Sequence, residues 1–273
     1  MPELPEVEVT RRGIAPFLEN HEVTGVVLRR SGLRWPFPHD LQVLLSNERI
    51  IATDRRGKYL LIQFRHGTLI LHLGMSGHLR ILPAGHPPQK HDHFDLLLGA
   101  QIMRFTDPRR FGAVLWHGQD EGDIESHLLL RGLGVEPLVH DDLGGLLHRQ
   151  SRTRGAAIKQ VLLAGDIVVG VGNIYACESL FEAGINPNTA AKRISLARYE
   201  KLAAAIRRIL AAAIEQGGSS LRDFIGADGQ SGYFQQNYFV YDREGESCRQ
   251  CDTPVRRIVQ GQRSTFYCVR CQR

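Results

Sequence analysis

Apolar residues in the first half of the chain fall into short runs that are rich in β-branched and aromatic side chains. The clearest runs are residues 23–28, 59–64, 68–73 and 113–116, and glycine and proline punctuate the chain between them. Closely spaced short runs of this kind are typical of antiparallel strands rather than of strands that alternate with long helices. We therefore predict that residues 1–135 form an antiparallel β-sandwich.

One helix is predicted before these strands. Pro5 suits the first turn of a helix, where its missing backbone N–H is not needed. Val7, Ile14, Phe17 and Leu18 can then share one face of the helix. The chain is expected to begin with a helix that packs on the sandwich.

Helical spacing replaces the strand pattern after residue 150. Residues 156–163 and 174–183 have helical character, and a glycine-rich stretch separates them. A longer helix is predicted between Ser195, which suits an N-cap, and Gly217, which suits a helix end. Its apolar residues recur at helical spacing: Leu196, Tyr199, Leu202, Ile206, Ile209, Leu210 and Ala213.

The change from strand-like to helical spacing along the chain predicts an α+β protein with several domains. We expect a β-sandwich over 1–135, a linker over 136–150, a helical domain over 151–237 and a cysteine-rich module over 238–273. Glycine and proline at 132, 134 and 137 mark the linker, and the polar segment 226–236 is expected to form a loop or a binding lid.

Composition narrows the class of protein. The chain has 273 residues, of which 42% are hydrophobic and 23% charged. That balance excludes a wholly disordered chain, and no apolar run is long enough for a membrane span. The N-terminus also lacks the order of a signal peptide, so we expect a protein of the cytoplasm with no membrane partner.

Charge points to nucleic acid. Basic residues outnumber acidic ones by 34 to 29, and the pI is about 9.1. Only five of the basic residues are lysines. Arginine binds phosphate through two N–H groups at once and stacks on bases, so the excess of arginine over lysine favours a nucleic-acid partner. A GC-rich genome enriches arginine as well.

Four of the five cysteines lie in the last 26 residues, as two CxxC pairs. They are Cys248, Cys251, Cys268 and Cys271. Two such pairs at this separation are typical of a tetrahedral zinc site, so we predict one structural Zn²⁺ ion. The intervening span suits a hairpin that presents Arg263 to a DNA groove or a phosphate, and a zinc ribbon that binds protein is the alternative.

The N-terminus suits nucleophilic chemistry. Pro2 follows Met1 and is small enough to permit removal of the methionine, which leaves a secondary amine beside Glu3. An α-amino group titrates near ~8, so part of it is an unprotonated nucleophile at neutral pH. Attack on an aldehyde-level carbon gives an iminium ion, which withdraws electrons. The alternative is that Pro2 and Glu3 only start a helix.

Several motifs together resemble the formamidopyrimidine-DNA glycosylase family. They are PELPEVEVTRRGI at the N-terminus, RGKYL around Lys58, HLGMSG at 72–77, KHDHFD at 90–95, TDPRRFG at 106–112, VVGVGNIYACESLF at 168–181 and the terminal cysteine pairs. They cover nearly the whole chain in the family's order. The resemblance implies an N-terminal β-sandwich, a helix–two-turn–helix domain and a zinc-finger hairpin.

The resemblance also implies roles for single residues. Pro2 attacks C1′ of the damaged nucleotide, Glu3 is the general acid/base, Lys58 is the proton donor in β-elimination, and Arg263 grips phosphate and assists δ-elimination. Three residues fill the space left by the everted base: Met75, Arg109 and Phe111. Four more match or adjoin DNA-contacting positions: His91, Arg110, Arg154 and Asn173.

The resulting hypothesis is a bifunctional glycosylase/AP lyase of base excision repair. It would act as a monomer on double-stranded DNA that contains 8-oxoguanine, formamidopyrimidines or abasic sites, in the bacterial cytoplasm at the nucleoid. One alternative is an endonuclease VIII-like enzyme that prefers oxidised pyrimidines. The other is a non-catalytic zinc-ribbon DNA-binding protein, which would not need the free Pro2-Glu3 terminus.

Overall fold

A computed structural model describes residues 2–218 and 238–273. The described residues divide into two compact units. The first contains residues 2–131 and 216–218, and the second contains 132–215 and 238–273. The expected lid at 226–236 lies outside the described residues.

The first unit has two antiparallel sheets of four strands each. In chain order its elements are α1 (Leu4–Leu18), β1 (Gly25–Leu28), α2 (Leu41–Leu45), β2 (Ala52–Arg56), β3 (Tyr59–Phe64), β4 (Gly67–His72), β5 (His78–Pro83), β6 (Asp92–Leu98), β7 (Gln101–Thr106) and β8 (Ala113–Gly118). One sheet has the strand order β1-β6-β7-β5 and the other β2-β3-β4-β8. The predicted sandwich and its leading helix are confirmed.

Apolar side chains from both sheets and from α1 share one core. Ile14 and Leu18 of the helix are fully buried with Leu60 and Ile62 of β3 and with Phe94 of β6. Because every second residue of a strand faces the core, the short apolar runs of the sequence become the inner faces of the two sheets.

Strand register brings several loops to one end of the sandwich. Tyr59 pairs with His72 and His72 with Ala113, so the start of β3, the end of β4 and the start of β8 are neighbours. In the other sheet Thr106 pairs with both His78 and Asp92. The chain passes between the two sheets at this end, through residues 73–77 and 107–112.

The second unit is helical and carries a hairpin. Its elements are α3 (Leu143–Ser151), α4 (Ile158–Ala164), α5 (Asn173–Glu182), α6 (Leu196–Glu215), β9 (Arg256–Gln260) and β10 (Arg263–Tyr267). Helix α6 packs against α3 and α5, and α5 packs against α4 and β10. The predicted long helix matches α6, and its predicted apolar residues are buried except Leu196, which is exposed.

The segment 136–150, which we expected to be a linker, contains most of α3. The glycines and proline that marked the linker lie before this helix, at 132, 134 and 137. Gly144 lies where α3 approaches α6, and a Cβ there would come within 2.8 Å of Glu200 Cα. Asp142 caps the helix by accepting the Gly145 N–H at 3.0 Å.

The zinc-finger hairpin is part of the second unit. Cys177 and Phe181 of α5 pack with Val240, Cys248 and Phe266 in one apolar cluster. Helix α5 also buries Glu178, whose carboxylate accepts the backbone N–H groups of residues 239–241 at 2.8–3.0 Å. The cysteine module is therefore held by the helices rather than by its own cysteines alone.

Candidate active site and DNA-binding groups

Pro2 and Glu3 lie at the start of α1 and are buried. Glu3 donates its backbone N–H to Oε2 of Glu6 at 2.8 Å, and Val7 donates its N–H to the Glu3 carbonyl at 3.1 Å. The first turn of the helix thus fixes the backbone next to Pro2. Such hydrogen bonds at a helix start satisfy N–H groups that the helix itself leaves unpaired.

Helix α1 is anchored to β2 through Glu8. Its carboxylate accepts hydrogen bonds from Arg11 at 2.8 Å, from Arg12 at 2.9 Å and from Arg55 of β2 at 3.2 Å. Burial raises the pKa of Glu8, but the hydrogen bonds from Arg11 and Arg12 outweigh it and lower that pKa to about 2. The ion cluster holds the helix that carries Pro2 and Glu3 to the strand that leads to Lys58.

Lys58 occupies the tight turn between β2 and β3. Gly57 before it has a φ of +59°, which allows the strands to reverse there. Since Tyr59 pairs with His72, Lys58 lies at the same end of the sheet as the loop after β4. The structure therefore places this lysine in the group of loops that also carries Met75.

His72 belongs to the same group, although the sequence did not single it out. It accepts the Gly74 N–H on Nδ1 at 3.0 Å and stacks at a tilt on Tyr59, with 4.8 Å between ring centroids. Burial, with the nearby charges of Lys58 and Arg34, lowers the pKa of His72 to about 4. The imidazole is neutral at physiological pH.

Met75, Arg109 and Phe111 come together on two adjoining loops. Met75 and Phe111 line a cavity of about 420 Å³. Phe111 is 45% exposed, a large fraction for a phenyl ring, and the Arg109 guanidinium lies over it at 5.1 Å from the centroid. An exposed aromatic ring beside a thioether and a guanidinium is suited to enter a base stack.

Close approach of the two loops requires a glycine. Gly74 has a φ of +65°, and a Cβ there would lie 2.5 Å from the backbone of both Phe111 and Gly112. Arg110 also has a positive φ, of +59°, which is strained for a residue with a side chain. Strain at this loop tip is consistent with a site that is held for binding.

His91 precedes β6 at the same end of the sandwich. Its carbonyl accepts the Asp107 N–H at 3.0 Å, which joins it to the loop of Arg109. Buried Arg104 donates to the carbonyls of His86 and Pro87, each at 3.1 Å, and so holds the segment before His91 in place. His91 itself is partly exposed.

Asn173 and Arg263 are brought together in the second unit. Asn173 donates its side-chain N–H to the Ser264 carbonyl at 2.9 Å, directly after Arg263, and Arg263 is exposed at the start of β10. The fully buried Lys159 donates to the same carbonyl at 3.1 Å and to the Thr265 hydroxyl at 2.6 Å. Lys159 therefore braces the hairpin from within the second unit.

Arg154 forms an ion pair that the sequence did not predict. Its two terminal nitrogens donate to the two oxygens of Asp166, at 3.1 and 2.7 Å. The pair is partly exposed, and the hydrogen bond from Arg154 lowers the pKa of Asp166. The guanidinium fork expected to contact DNA is therefore already engaged with a carboxylate.

The four terminal cysteines form one cluster. Their sulfur atoms all lie within 4.8 Å of one another, with 3.9 Å between Cys248 and Cys271 and 3.5 Å between Cys251 and Cys268. Tetrahedral zinc–thiolate bonds of ~2.3 Å place sulfur atoms ~3.8 Å apart, so the residues present fit one zinc ion. Four thiolates leave no open coordination position, which makes the site structural.

None of the helices in the described parts of the chain is long and apolar enough to cross a membrane.

Known protein families match the chain in three segments. The formamidopyrimidine-DNA glycosylase N-terminal domain matches residues 1–114, the H2TH domain of the same enzymes matches 133–225, and a zinc finger found in FPG and IleRS matches 245–273. Together these segments contain every site residue that the sequence predicted.

Whole-chain relatives agree with these domains. The formamidopyrimidine-DNA glycosylases of Herminiimonas arsenicoxydans and Janthinobacterium sp. (strain Marseille) are 71% and 70% identical, over all of this chain and all of their own. A crystal structure of the MutM (Fpg) protein of Thermus thermophilus is similar with a TM-score of 0.88 and 36% identity, covering 99% of this chain and 98% of its own. Lactococcus lactis Fpg in complex with DNA containing an abasic site is similar with a TM-score of 0.91 and 30% identity, covering 99% of both chains.

Proposed function

The chain belongs to the formamidopyrimidine-DNA glycosylase family, and from this premise we propose how its own residues perform the reaction. It acts in base excision repair as a DNA glycosylase and AP lyase. The main support for this proposal is the position of Pro2 and Glu3 at the start of α1. Glu8 anchors this helix to Arg55 of β2, the strand that leads to the turn of Lys58.

Base release begins at the N-terminal amine. Once Met1 has been removed, the nitrogen of Pro2 attacks C1′ of the damaged nucleotide as the N-glycosidic bond breaks, and the base leaves with the bonding electron pair. Glu3 takes up the proton that the Pro2 nitrogen loses and delivers a proton to the ring oxygen O4′, so that the C1′–O4′ bond breaks and the sugar ring opens. The product is an iminium ion between Pro2 and C1′, which keeps its positive charge because a secondary amine has no second proton to lose.

Strand cleavage follows from that iminium ion. It withdraws electrons from C1′, so a proton leaves C2′ and the 3′ phosphate departs in β-elimination. We assign to Lys58 the binding of a phosphate and the transfer of a proton in this step. Arg263, on the hairpin braced by Lys159 and Asn173, holds a phosphate beside the lesion and assists the second elimination, of the 5′ phosphate.

The everted base leaves a space in the duplex. We assign Met75, Arg109 and Phe111 to that space, with His91, Arg110, Arg154 and Asn173 contacting the DNA around it. Lactococcus lactis Fpg has been crystallised with DNA containing Fapy-dG and with DNA containing an abasic site. We therefore propose oxidised purines and abasic sites in double-stranded DNA as substrates, cut by a monomer in the bacterial cytoplasm, where the chromosome lies.

The cysteine cluster contributes no step to this chemistry. It holds one structural zinc ion through Cys248, Cys251, Cys268 and Cys271. The zinc ion fixes the two ends of the module. The hairpin between them packs against α5 through β10, which holds Arg263 at a defined place.

A panel of duplexes tests the substrate class. Each duplex carries one 8-oxoguanine, formamidopyrimidine, oxidised pyrimidine or abasic site, and the cut ends are analysed. We expect cleavage at the purine lesions and abasic sites, leaving phosphate on both sides of the gap. Preferential cleavage at oxidised pyrimidines would favour the endonuclease VIII-like alternative. Binding of every duplex with no cleavage would favour a non-catalytic DNA-binding protein.

A further inference from the structure

Residues 29–37 form a compact loop in the first unit, after β1. Leu33 donates its backbone N–H to the Trp35 carbonyl at 3.0 Å, and this hydrogen bond closes the tip. Arg34 donates its own backbone N–H to the Gly112 carbonyl at 3.1 Å. The loop is therefore fixed to the segment that carries Arg109 and Phe111, although the sequence motifs did not include it.

Four arginines line the cavity between these segments. They are Arg30, Arg34, Arg109 and Arg110, and the cavity has a volume of about 530 Å³. In the parts of the chain that the structure describes, none of the four pairs with a carboxylate. The Nε atom of Arg30 is buried and has no hydrogen-bond partner among the described residues. Four like charges with no carboxylate partner among those residues favour an anionic ligand.

Aromatic rings hold two of these cations. The Arg34 guanidinium lies over the Trp35 ring at 4.5 Å from its centroid, as that of Arg109 lies over Phe111 at 5.1 Å. Stacking fixes the plane of a guanidinium and leaves its N–H edge available for a phosphate. A pre-ordered side chain loses less conformational entropy when it binds.

Arg34 also lies beside Met75 and Phe111, two of the residues expected to enter the base stack. It lines the cavity of about 420 Å³ that Met75, Phe111 and His72 share. One guanidinium therefore borders both the residues expected to enter the base stack and the arginine-lined cavity beside them. A phosphodiester group next to the everted nucleotide has the charge and the position to occupy this place.

We propose that Arg30 and Arg34 form a phosphodiester-binding site for duplex DNA next to the everted nucleotide, with the stacked Trp35 holding Arg34 in its binding conformation. The inference rests on the proposed function, since it takes damaged duplex DNA as the ligand. It adds two phosphate contacts to those assigned above.

Binding to a short duplex with a tetrahydrofuran abasic analogue tests the site, because the analogue has no base to release and the complex stays intact. Affinity is measured over a range of salt concentrations. Each lost phosphate contact lowers the slope of log affinity against log salt by ~0.9. We expect Arg34→Gln to lose about one contact and to bind about tenfold more weakly at moderate salt, and Arg30→Gln/Arg34→Gln to lose about two. Arg34→Lys, which keeps the charge, should retain the slope.

Arg65→Gln is the matched control. Arg65 is exposed in the turn between β3 and β4, at the opposite end of the hairpin from Tyr59 and His72. It should leave the slope of the wild type unchanged. An unchanged slope in Arg34→Gln, or an equal fall in Arg65→Gln, would overturn the proposed site. Failure of the wild-type protein itself to prefer the abasic duplex would instead contradict the proposed function.

Single methylphosphonate substitutions identify the phosphate and its strand. A neutral linkage should weaken wild-type binding at several positions on both strands. At the position that Arg34 contacts, the same substitution should have little further effect on Arg34→Gln. The strand on which such a position lies, damaged or complementary, is then the strand that Arg34 contacts. If every methylphosphonate weakens Arg34→Gln as much as the wild type, Arg34 makes no direct phosphate contact.

Discussion

Asp107 accepts a hydrogen bond from the hydroxyl of Ser76 at 2.8 Å, and this contact joins the loop of Met75 to the loop of Arg109 and Phe111. The other oxygen of the same carboxylate accepts the Gly112 N–H at 2.8 Å. Asp107 is fully buried. Met75 lies directly before Ser76, and Arg109 and Phe111 lie between Asp107 and Gly112, so one carboxylate organises all three.

Replacement of that carboxylate should disturb both stability and DNA binding. An amide in Asp107→Asn can accept on one side only, so either the Ser76 hydroxyl hydrogen or the Gly112 N–H loses its buried acceptor. We expect a loss of about 1–3 kcal/mol in the free energy of unfolding, measured by urea denaturation. Affinity for the abasic duplex should fall as well. Asp40→Asn, at an exposed aspartate before α2, should change stability by less than about 0.5 kcal/mol. Equal effects in the two variants would contradict the bracing role.

Release of Arg154 from Asp166 should strengthen DNA binding. In the free protein the guanidinium is held in a bidentate pair, so it must leave Asp166 or share it before it contacts a phosphate. Asp166→Asn should raise affinity and steepen the salt slope, by at most ~0.9. Because the pair is partly exposed, its loss should cost less than about 1 kcal/mol of stability.

Two controls accompany this measurement. Glu182→Gln removes the partner of Arg208 in another exposed pair and should leave the salt slope unchanged. Arg154→Gln should remove the gain that Asp166→Asn brings when the two are combined. Tighter binding that survives in the double variant would show that Asp166 repels DNA by itself.

The strands and the long helix followed from periodicity, because side chains that face a core repeat every two residues in a strand and every three or four in a helix. The pair of Arg154 and Asp166 did not follow from periodicity, since these residues lie on either side of α4, twelve positions apart. Lys159 also carried no signal of its burial, because its partners Ser264 and Thr265 lie more than a hundred residues away. Sequence motifs identified which residue types matter, and the tertiary fold determined their partners.

Stability should depend on pH through His72. Its pKa is about 4 in the folded protein, against ~6.5 when unfolded, so the unfolded state binds the proton more tightly between these values. The contribution of the neutral imidazole is complete above pH ~6.5 and is lost as the pH falls towards ~4. At about 1.4 kcal/mol per pKa unit this amounts to a few kcal/mol.

Urea denaturation at several pH values checks this dependence. His72→Asn keeps an acceptor for the Gly74 N–H and does not titrate. Its stability should therefore fall less than that of the wild type between pH 7 and pH 5. Other histidines whose pKa is lowered by desolvation, such as His78 and His93, remain in both proteins and cancel in the comparison. Parallel pH curves for the two proteins would show that His72 keeps its ordinary pKa.

Loss of zinc should release the hairpin and leave the helices. Cys268→Ser removes one of four thiolates, so we expect loss of bound metal, weaker DNA binding and a far-ultraviolet circular dichroism spectrum that is largely retained. Cys177→Ala is the matched control, because this fifth cysteine is buried on α5 and is not one of the four whose sulfur atoms could hold the metal. It should keep one zinc ion per chain. If elemental analysis found no zinc in a fully active protein, the structural role of the metal would be excluded.

Covalent trapping tests the role of Pro2 most directly. Borohydride reduces an iminium ion to a stable amine, so the active protein should become linked to DNA that contains 8-oxoguanine or an abasic site. Mass spectrometry of the digested complex should place the adduct on a peptide that begins at Pro2, and a protein that retains Met1 should neither trap nor cleave. An adduct on Lys58, together with full activity in the protein that retains Met1, would contradict the mechanism.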